Sequence, residues 1–183
     1  MGYIAVIDTE TNWENQVMSI GTVIADGNTF QPVAVKYHVL DPEYRIGGMY
    51  EAVLFPRERA VPTVCARMEA MQELLNWFDE YGVRSMFAYN AAFDHKLMPE
   101  LARLTWYDIM RLAAYRQYNR KIPSCADCCS TGRLKRSYGV EPMLQLLSGN
   151  GGYRETHNAL FDALDELEIM RLLGHRPESY IPL

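Results

Sequence analysis

The sequence predicts an α/β fold, and three observations carry that prediction. Residues 3–7 form a short apolar, β-branched run with the character of a buried strand. Two more strand-like segments follow at residues 17–25 and 33–40, with Asp26 and Gly27 as the turn between them. From residue 62 onward, stretches of helical periodicity alternate with short apolar strands.

In chain order, the first strand delivers Asp8 at its end, and the first three strands make an antiparallel meander. Residues 44–61 hold Gly47, Gly48 and Pro56 among mixed charges, which predicts loop with some short helix. Pro62 and Thr63 open an amphipathic helix that runs to about residue 81 and ends at Gly82. Residues 85–89 are a short strand leading to Asn90, and residues 92–104 continue as a helix. Residues 106–108 supply a fifth strand and residues 109–118 another helix. Residues 121–131 read as an irregular, cysteine-containing loop, followed by short helices around Leu134 and Leu144. A glycine-rich loop at 149–152 precedes a last helix over residues 158–173. No repeat, low-complexity tract or linker intervenes, so residues 1–183 are expected to form one domain.

Composition narrows the class. Hydrophobic residues make up 49% of the chain and charged residues 22%, an ordinary globular profile. No apolar run approaches the roughly 20 residues that a membrane crossing needs. The N-terminal run from Met1 has no basic segment ahead of it, so no secretory signal is expected. Val6 stands where a myristoylation motif needs Ser or Thr. A cytoplasmic location is therefore expected. The net charge of −5 hides an asymmetry: residues 103–136 carry eight basic against two acidic side chains, leaving −11 on the remainder. Such a strip could track a phosphate backbone or could be a solvated face. Cys125, Cys128 and Cys129 lie in that strip without a second ligand pair at zinc spacing, so reduced, incidental thiols are the expectation.

Three acidic motifs carry the chemistry. Asp8-Thr9-Glu10 is a common pattern, and Asp41-Pro42-Glu43 is a second copy. The first copy differs in context: positions i and i+2 at the end of a buried strand share one face, where paired acids are costly unless compensated. The Asn90–Asp94 motif, with Phe93 before the acid, is rarer and sits at a strand-to-helix junction; helix capping is the ordinary alternative for Asp94. The third motif places His157 in a loop and Asp162 on the first turns of the last helix; alone, it is indistinguishable from a surface histidine and a helix acid.

Together the three motifs resemble the DEDDh branch of the DEDD exonucleases, the DnaQ-like family that includes bacterial polymerase proofreading subunits and oligoribonuclease. The resemblance rests on Asp8-Thr9-Glu10-Thr11, on Asn90 through Asp94, and on His157-Asn158-Ala159-Leu160-Phe161-Asp162. Ser19-Ile20-Gly21, Tyr107-Asp108 and the stretch from Arg136 to Val140 extend it over residues 3–173. It implies a ribonuclease H-like fold, with a mixed five-stranded sheet flanked by helices. It also implies 3′→5′ release of 5′-mononucleotides from DNA or RNA by two-metal hydrolysis.

In this resemblance Asp8, Glu10, Asp94 and Asp162 hold two divalent cations, magnesium or manganese. Asp8 bridges both ions, Glu10 and Asp162 complete the nucleophile-side ion, and Asp94 holds that ion or its waters from further out. His157 is the general base, a task suited to a side chain that titrates near neutrality. Thr9, Thr11 and Asn90 are weaker candidates for hydrogen bonds to the terminal nucleotide, and Phe93 either wedges against a base or packs in the core. Trp13, where many relatives have a small residue, either stacks on a base or packs under a loop. The expected partner is a nucleic-acid 3′ end, single-stranded; a homodimer is one option for assembly. A polymerase partner is left open, and the chain's end soon after the last helix favours a free-standing nuclease. The alternatives are a small-nucleotide phosphodiesterase and a catalytically silent nucleic-acid-binding module on the same fold.

Overall fold

The computed structural model describes residues 2–56 and 60–183. Met1 of the N-terminal run and residues 57–59 of the expected 44–61 loop lie outside the described residues. The meander forms as expected: β1 (Tyr3–Thr11), β2 (Val17–Asp26) and β3 (Pro32–Leu40) pair antiparallel. The loop after β3 holds short 3₁₀ turns at Glu43–Ile46 and Glu51–Val53.

A further strand, β4 (Thr63–Cys65), then pairs parallel with the end of β3. The sheet therefore has six strands rather than the expected five. Thr63 to Cys65 do not open a helix, because their backbone groups pair with residues 38–40 of β3. Helix α1 (Arg67–Tyr81) starts four residues later than Thr63, where the Glu69 carboxylate accepts the Ala66 N–H at 3.0 Å. It ends, as expected, on Gly82 in the left-handed conformation at φ 66°.

β5 (Ser85–Ala88) lies parallel to β1, and α2 (Ala92–Leu97) follows. The expected helix over 92–104 breaks after α2. Met98 precedes Pro99 and takes φ −125°, ψ 64°, because the proline ring disfavours helical geometry in the residue before it. A 3₁₀ turn, Pro99–Leu101, carries the chain into β6 (Thr105–Asp108), which is parallel to β5. The strand order is β4-β3-β2-β1-β5-β6.

Helix α3 (Met110–Ala113) is shorter than the expected 109–118. Asn119 Nδ2 donates to the Ala113 carbonyl at 2.7 Å, and Leu134 N–H donates to that of Ala114, so tertiary partners take the groups a longer helix would use. Leu134 itself is buried in an antiparallel bridge to Cys128 rather than in the expected short helix. Helices α4 (Val140–Ser148) and α5 (Ala159–Leu173) match expectation, with Asn158 as the α5 cap.

The sheet separates two apolar layers. Ala5 and Ile7 face Ala70, Leu74 and Phe78 of α1, while Ile4 and Val6 face Leu160, Ala163 and Leu167 of α5. Strand alternation places Asp8 and Glu10 in line with Ile4 and Val6, on the α5 side. No helix among the described residues is long and apolar enough to cross a membrane.

Candidate active site

The site forms where the end of β1 meets the first turns of α2 and α5. β1 delivers Asp8 and Glu10, and Asp8 lies opposite Gly21 of β2 in the antiparallel register. That glycine is demanded by a close approach: a Cβ at position 21 would lie 2.1 Å from the carbonyl carbon and oxygen of Ala159. Only a residue without a side chain lets the start of α5 lie directly on β2, and that contact carries Asp162 to the carboxylates of β1.

α5 is fixed at the same point by its cap. Asn158 Oδ1 accepts the N–H groups of Leu160 and Phe161, while its Nδ2 donates to the Val53 carbonyl at 2.7 Å and to the Tyr37 hydroxyl at 2.9 Å. His157, just before the cap, takes the left-handed backbone at φ 54°. Ligand atoms of Glu10, His157 and Asp162 all lie within 4.8 Å of one another.

Asp94 reaches the site from the first turn of α2. It does not cap that helix; Ala91 occupies the cap position. It is 3% exposed, and its Oδ1 accepts the Thr9 hydroxyl proton at 2.7 Å. The five acidic and histidine positions singled out from the three motifs thus meet on three elements and the loop before α5.

Burial and mutual repulsion act together on these carboxylates. Asp8 sits well above the usual carboxylate range, first because it is buried and then because Asp94, Asp162 and Glu10 surround it. Burial, then Glu155 and Asp94, push Glu10 up to about 8. Burial, then Glu155 and Glu10, push Asp162 up to about 8. For Asp94 burial outweighs the Thr9 hydroxyl and raises it to about 7. Asp8 Oδ2 and Asp162 Oδ1 are buried with no hydrogen-bond partner. A native fold rarely leaves such oxygens orphaned. Hard carboxylate oxygens, orphaned and mutually repelling, fit divalent cations of the magnesium or manganese type.

Two further acids belong to the site that motif reading did not single out. Glu155, half-buried two residues before His157, is raised by burial and opposed by His157. Glu166 is 2% exposed, is raised by burial and then by Asp8 and Asp94, and accepts the Tyr89 N–H at 3.0 Å. Glu166 could have been found, since it lies four residues after Asp162 on the same helix face. Glu155 had no such signal.

The remaining candidates divide. The Thr9 hydroxyl is taken by Asp94, and the residue is 6% exposed, so its side chain does not face the site opening. Thr11 is half-buried at an irregularity in the β1–β2 register. Asn90 is exposed in the left-handed conformation, φ 62°, and its N–H is held by Asp108 Oδ1 at 3.0 Å. Phe93 is 49% exposed and Trp13 65% exposed, so neither is core. Asn12 builds the turn that presents Trp13: its Oδ1 accepts the N–H groups of Glu14 and Gln16, and its Nδ2 donates to the Glu43 carbonyl.

The basic strip is partly neutralised. Arg103 pairs with Asp79 and Lys135 with Asp127, while Arg133 lies over the Tyr138 ring at 4.8 Å. Its tie to the site is Tyr89, whose hydroxyl donates to the Tyr138 carbonyl while its N–H is held by Glu166.

No family model matches the sequence, and no curated protein is similar to it in sequence. Solved structures are similar in fold. The nuclease domain of 3′hExo, described as a DEDDh family member bound to rAMP, superposes over 100% of this chain and 96% of its own, with a TM-score of 0.66 at 15% identity. A 3′-exonuclease described in its recognition of a histone mRNA stem-loop covers 100% of this chain and 70% of its own, with a TM-score of 0.66 at 13% identity. E. coli exonuclease I in complex with a dA16 oligonucleotide covers 98% of this chain, which spans 42% of that protein, with a TM-score of 0.65 at 13% identity. The chain has the ribonuclease H-like fold that these exonuclease domains share, as the sequence resemblance implied.

Proposed function

We propose that this chain is a DEDDh-type 3′→5′ exonuclease that hydrolyses phosphodiesters at a single-stranded nucleic-acid 3′ end. The observation that carries the reading is the site itself. Asp8, Glu10, Asp94 and Asp162 converge around oxygens without partners, and His157 stands beside them. Exonuclease structures of the same fold, one holding rAMP and another an oligonucleotide, support the choice of substrate class.

In this reading Asp8, Glu10 and Asp162 would hold two magnesium or manganese ions, with Asp94 supporting them from behind Thr9. Bound there, such ions supply Lewis acidity, easing deprotonation of water and stabilising the leaving 3′-oxygen. His157 takes the proton of the attacking water at a ring nitrogen, and the chain then releases a 5′-mononucleotide. Trp13 and Phe93, both exposed, offer faces on which bases can stack. Asn90 and Thr11 offer hydrogen-bonding groups at the rim. The protein's place in the cell is proposed to be the cytoplasm.

A denaturing-gel time course with 5′-labelled single-stranded DNA and RNA tests the reading. With magnesium or manganese we expect a ladder shortening from the 3′ end, abolished by chelator and by Asp8→Asn. Equal turnover in Asp8→Asn, or products from within the strand, would overturn it.

A further inference from the structure

The loop between β3 and β4 brings an aromatic ring onto the proposed base. Tyr50 stacks on His157 with ring centroids 4.2 Å apart and planes 16° from parallel. The stack is assembled from the outside. Val53, three residues after Tyr50, accepts from Asn158 Nδ2 at 2.7 Å, and Asn158 directly follows His157. The Tyr37 hydroxyl donates to the Leu54 carbonyl at 2.9 Å and accepts from the same Asn158 amide. Leu54 is 2% exposed and packs in the α5 layer. Val53 and Leu54, just after Tyr50, are thus tied to Asn158, just after His157, directly and through Tyr37 of β3.

His157 needs such a device. It precedes the first turn of α5, so the helix does not hold its side chain, and its backbone is left-handed. Among the described residues no hydrogen bond fixes the plane of its ring. The Tyr50 ring lies flat against it.

We propose that Tyr50 is a positioning residue for His157: its ring holds the imidazole plane so that a ring nitrogen addresses the space beside Glu10 and Asp162. The proposal rests on the reading of His157 as general base. The phenol oxygen is not required; a flat aromatic face is. A base must be held in its productive orientation, and a loose one loses rate without losing substrate affinity.

Tyr50→Ala is expected to lower kcat by about 10- to 10²-fold with KM for the oligonucleotide nearly unchanged. Tyr50→Leu, which fills the volume without a π face, should behave in the same way, and Tyr50→Phe should restore most of the turnover. In a His157→Ala background Tyr50→Ala should add no further loss. The stack also has a reading that needs no catalysis. Ring current from Tyr50 displaces the imidazole proton resonances of His157, identifiable among the four histidines by their absence in His157→Ala. That displacement should vanish in Tyr50→Ala and Tyr50→Leu and persist in Tyr50→Phe. Wild-type kcat in Tyr50→Leu, or an equal loss in the His157→Ala background, would overturn the proposal. A wild-type protein with no 3′→5′ activity would overturn the exonuclease reading instead. The resonances would still decide whether Tyr50 holds the ring.

Discussion

Asp8, Glu10, Asp94 and Asp162 are drawn together without a lysine or arginine paired to any of them among the described residues. Four acids in one buried place are costly unless protons or cations compensate them, and Thr9 relieves only Asp94. His157 is of a different kind: it adds no negative charge and offers a nitrogen that can take a proton. Its removal therefore separates chemistry from metal binding. His157→Ala is expected to slow mononucleotide release by on the order of 10²-fold or more. Manganese affinity, measured by calorimetry, should change far less than in Asp8→Asn. Equal loss of manganese binding in the two variants would make His157 a ligand rather than the base. The motif residues themselves were legible in the sequence. Asp8 and Glu10 stood out because strand alternation forces i and i+2 to one face, whereas Glu155 and Tyr50 follow no local rule. Trp13 and Phe93 were ambiguous between base contact and core until their exposure was known.

At the level of elements, the contact between β2 and α5 decides whether the site exists. Gly21 makes it, and no side chain can replace the missing Cβ without moving α5 backbone. Gly21→Ala is expected to destabilise the fold by about 1–3 kcal/mol, read as a lowered midpoint in thermal unfolding. It should also depress the proposed exonuclease turnover in the fraction that remains folded, because Asp162 and His157 ride on the displaced segment. An unchanged midpoint with full activity would show that α5 can yield at no cost. Element boundaries were legible where local chemistry sets them, as at Gly82 and Asn158. They were misjudged where a distant partner sets them. Thr63 to Cys65 are strand because β3 has an open edge beside them, and α3 stops early because Asn119 takes the Ala113 carbonyl. The break after α2 had a local cause, Pro99, which an unbroken helix over 92–104 ignored.

For the molecule as a whole, the raised carboxyl pKa values couple stability to pH and, through the proposed metal site, to divalent ions. Glu10 and Asp162 titrate near 8 in the fold and near 4 in an unfolded chain. Between those values the folded state holds more protons, so the metal-free protein loses stability as pH rises through that window. Divalent ions bound only to the folded, ionised site, as proposed, would offset that loss. The increase in unfolding midpoint on adding magnesium or manganese should therefore be small near pH 5 and reach several degrees near pH 8. In Asp8→Asn the metal-free protein should itself be more stable than wild type at pH 8. A metal effect independent of pH would mean that these acids are not its origin.

Local interactions are written in the residues that make them, and the sequence by itself therefore determined the meander, the last helix, the three acidic motifs and the α/β class. Strand alternation, helix periodicity and capping act over a few residues and leave a pattern. Only the tertiary structure decided the sixth strand, the approach of Glu155 to Glu10 and Asp162, the presentation of Trp13 and the stacking of Tyr50 on His157. Each depends on groups far apart in the chain, such as Asn158 and Val53, meeting at one place. Such meetings are set by how packed layers dispose of buried polar groups, which no short window of sequence encodes.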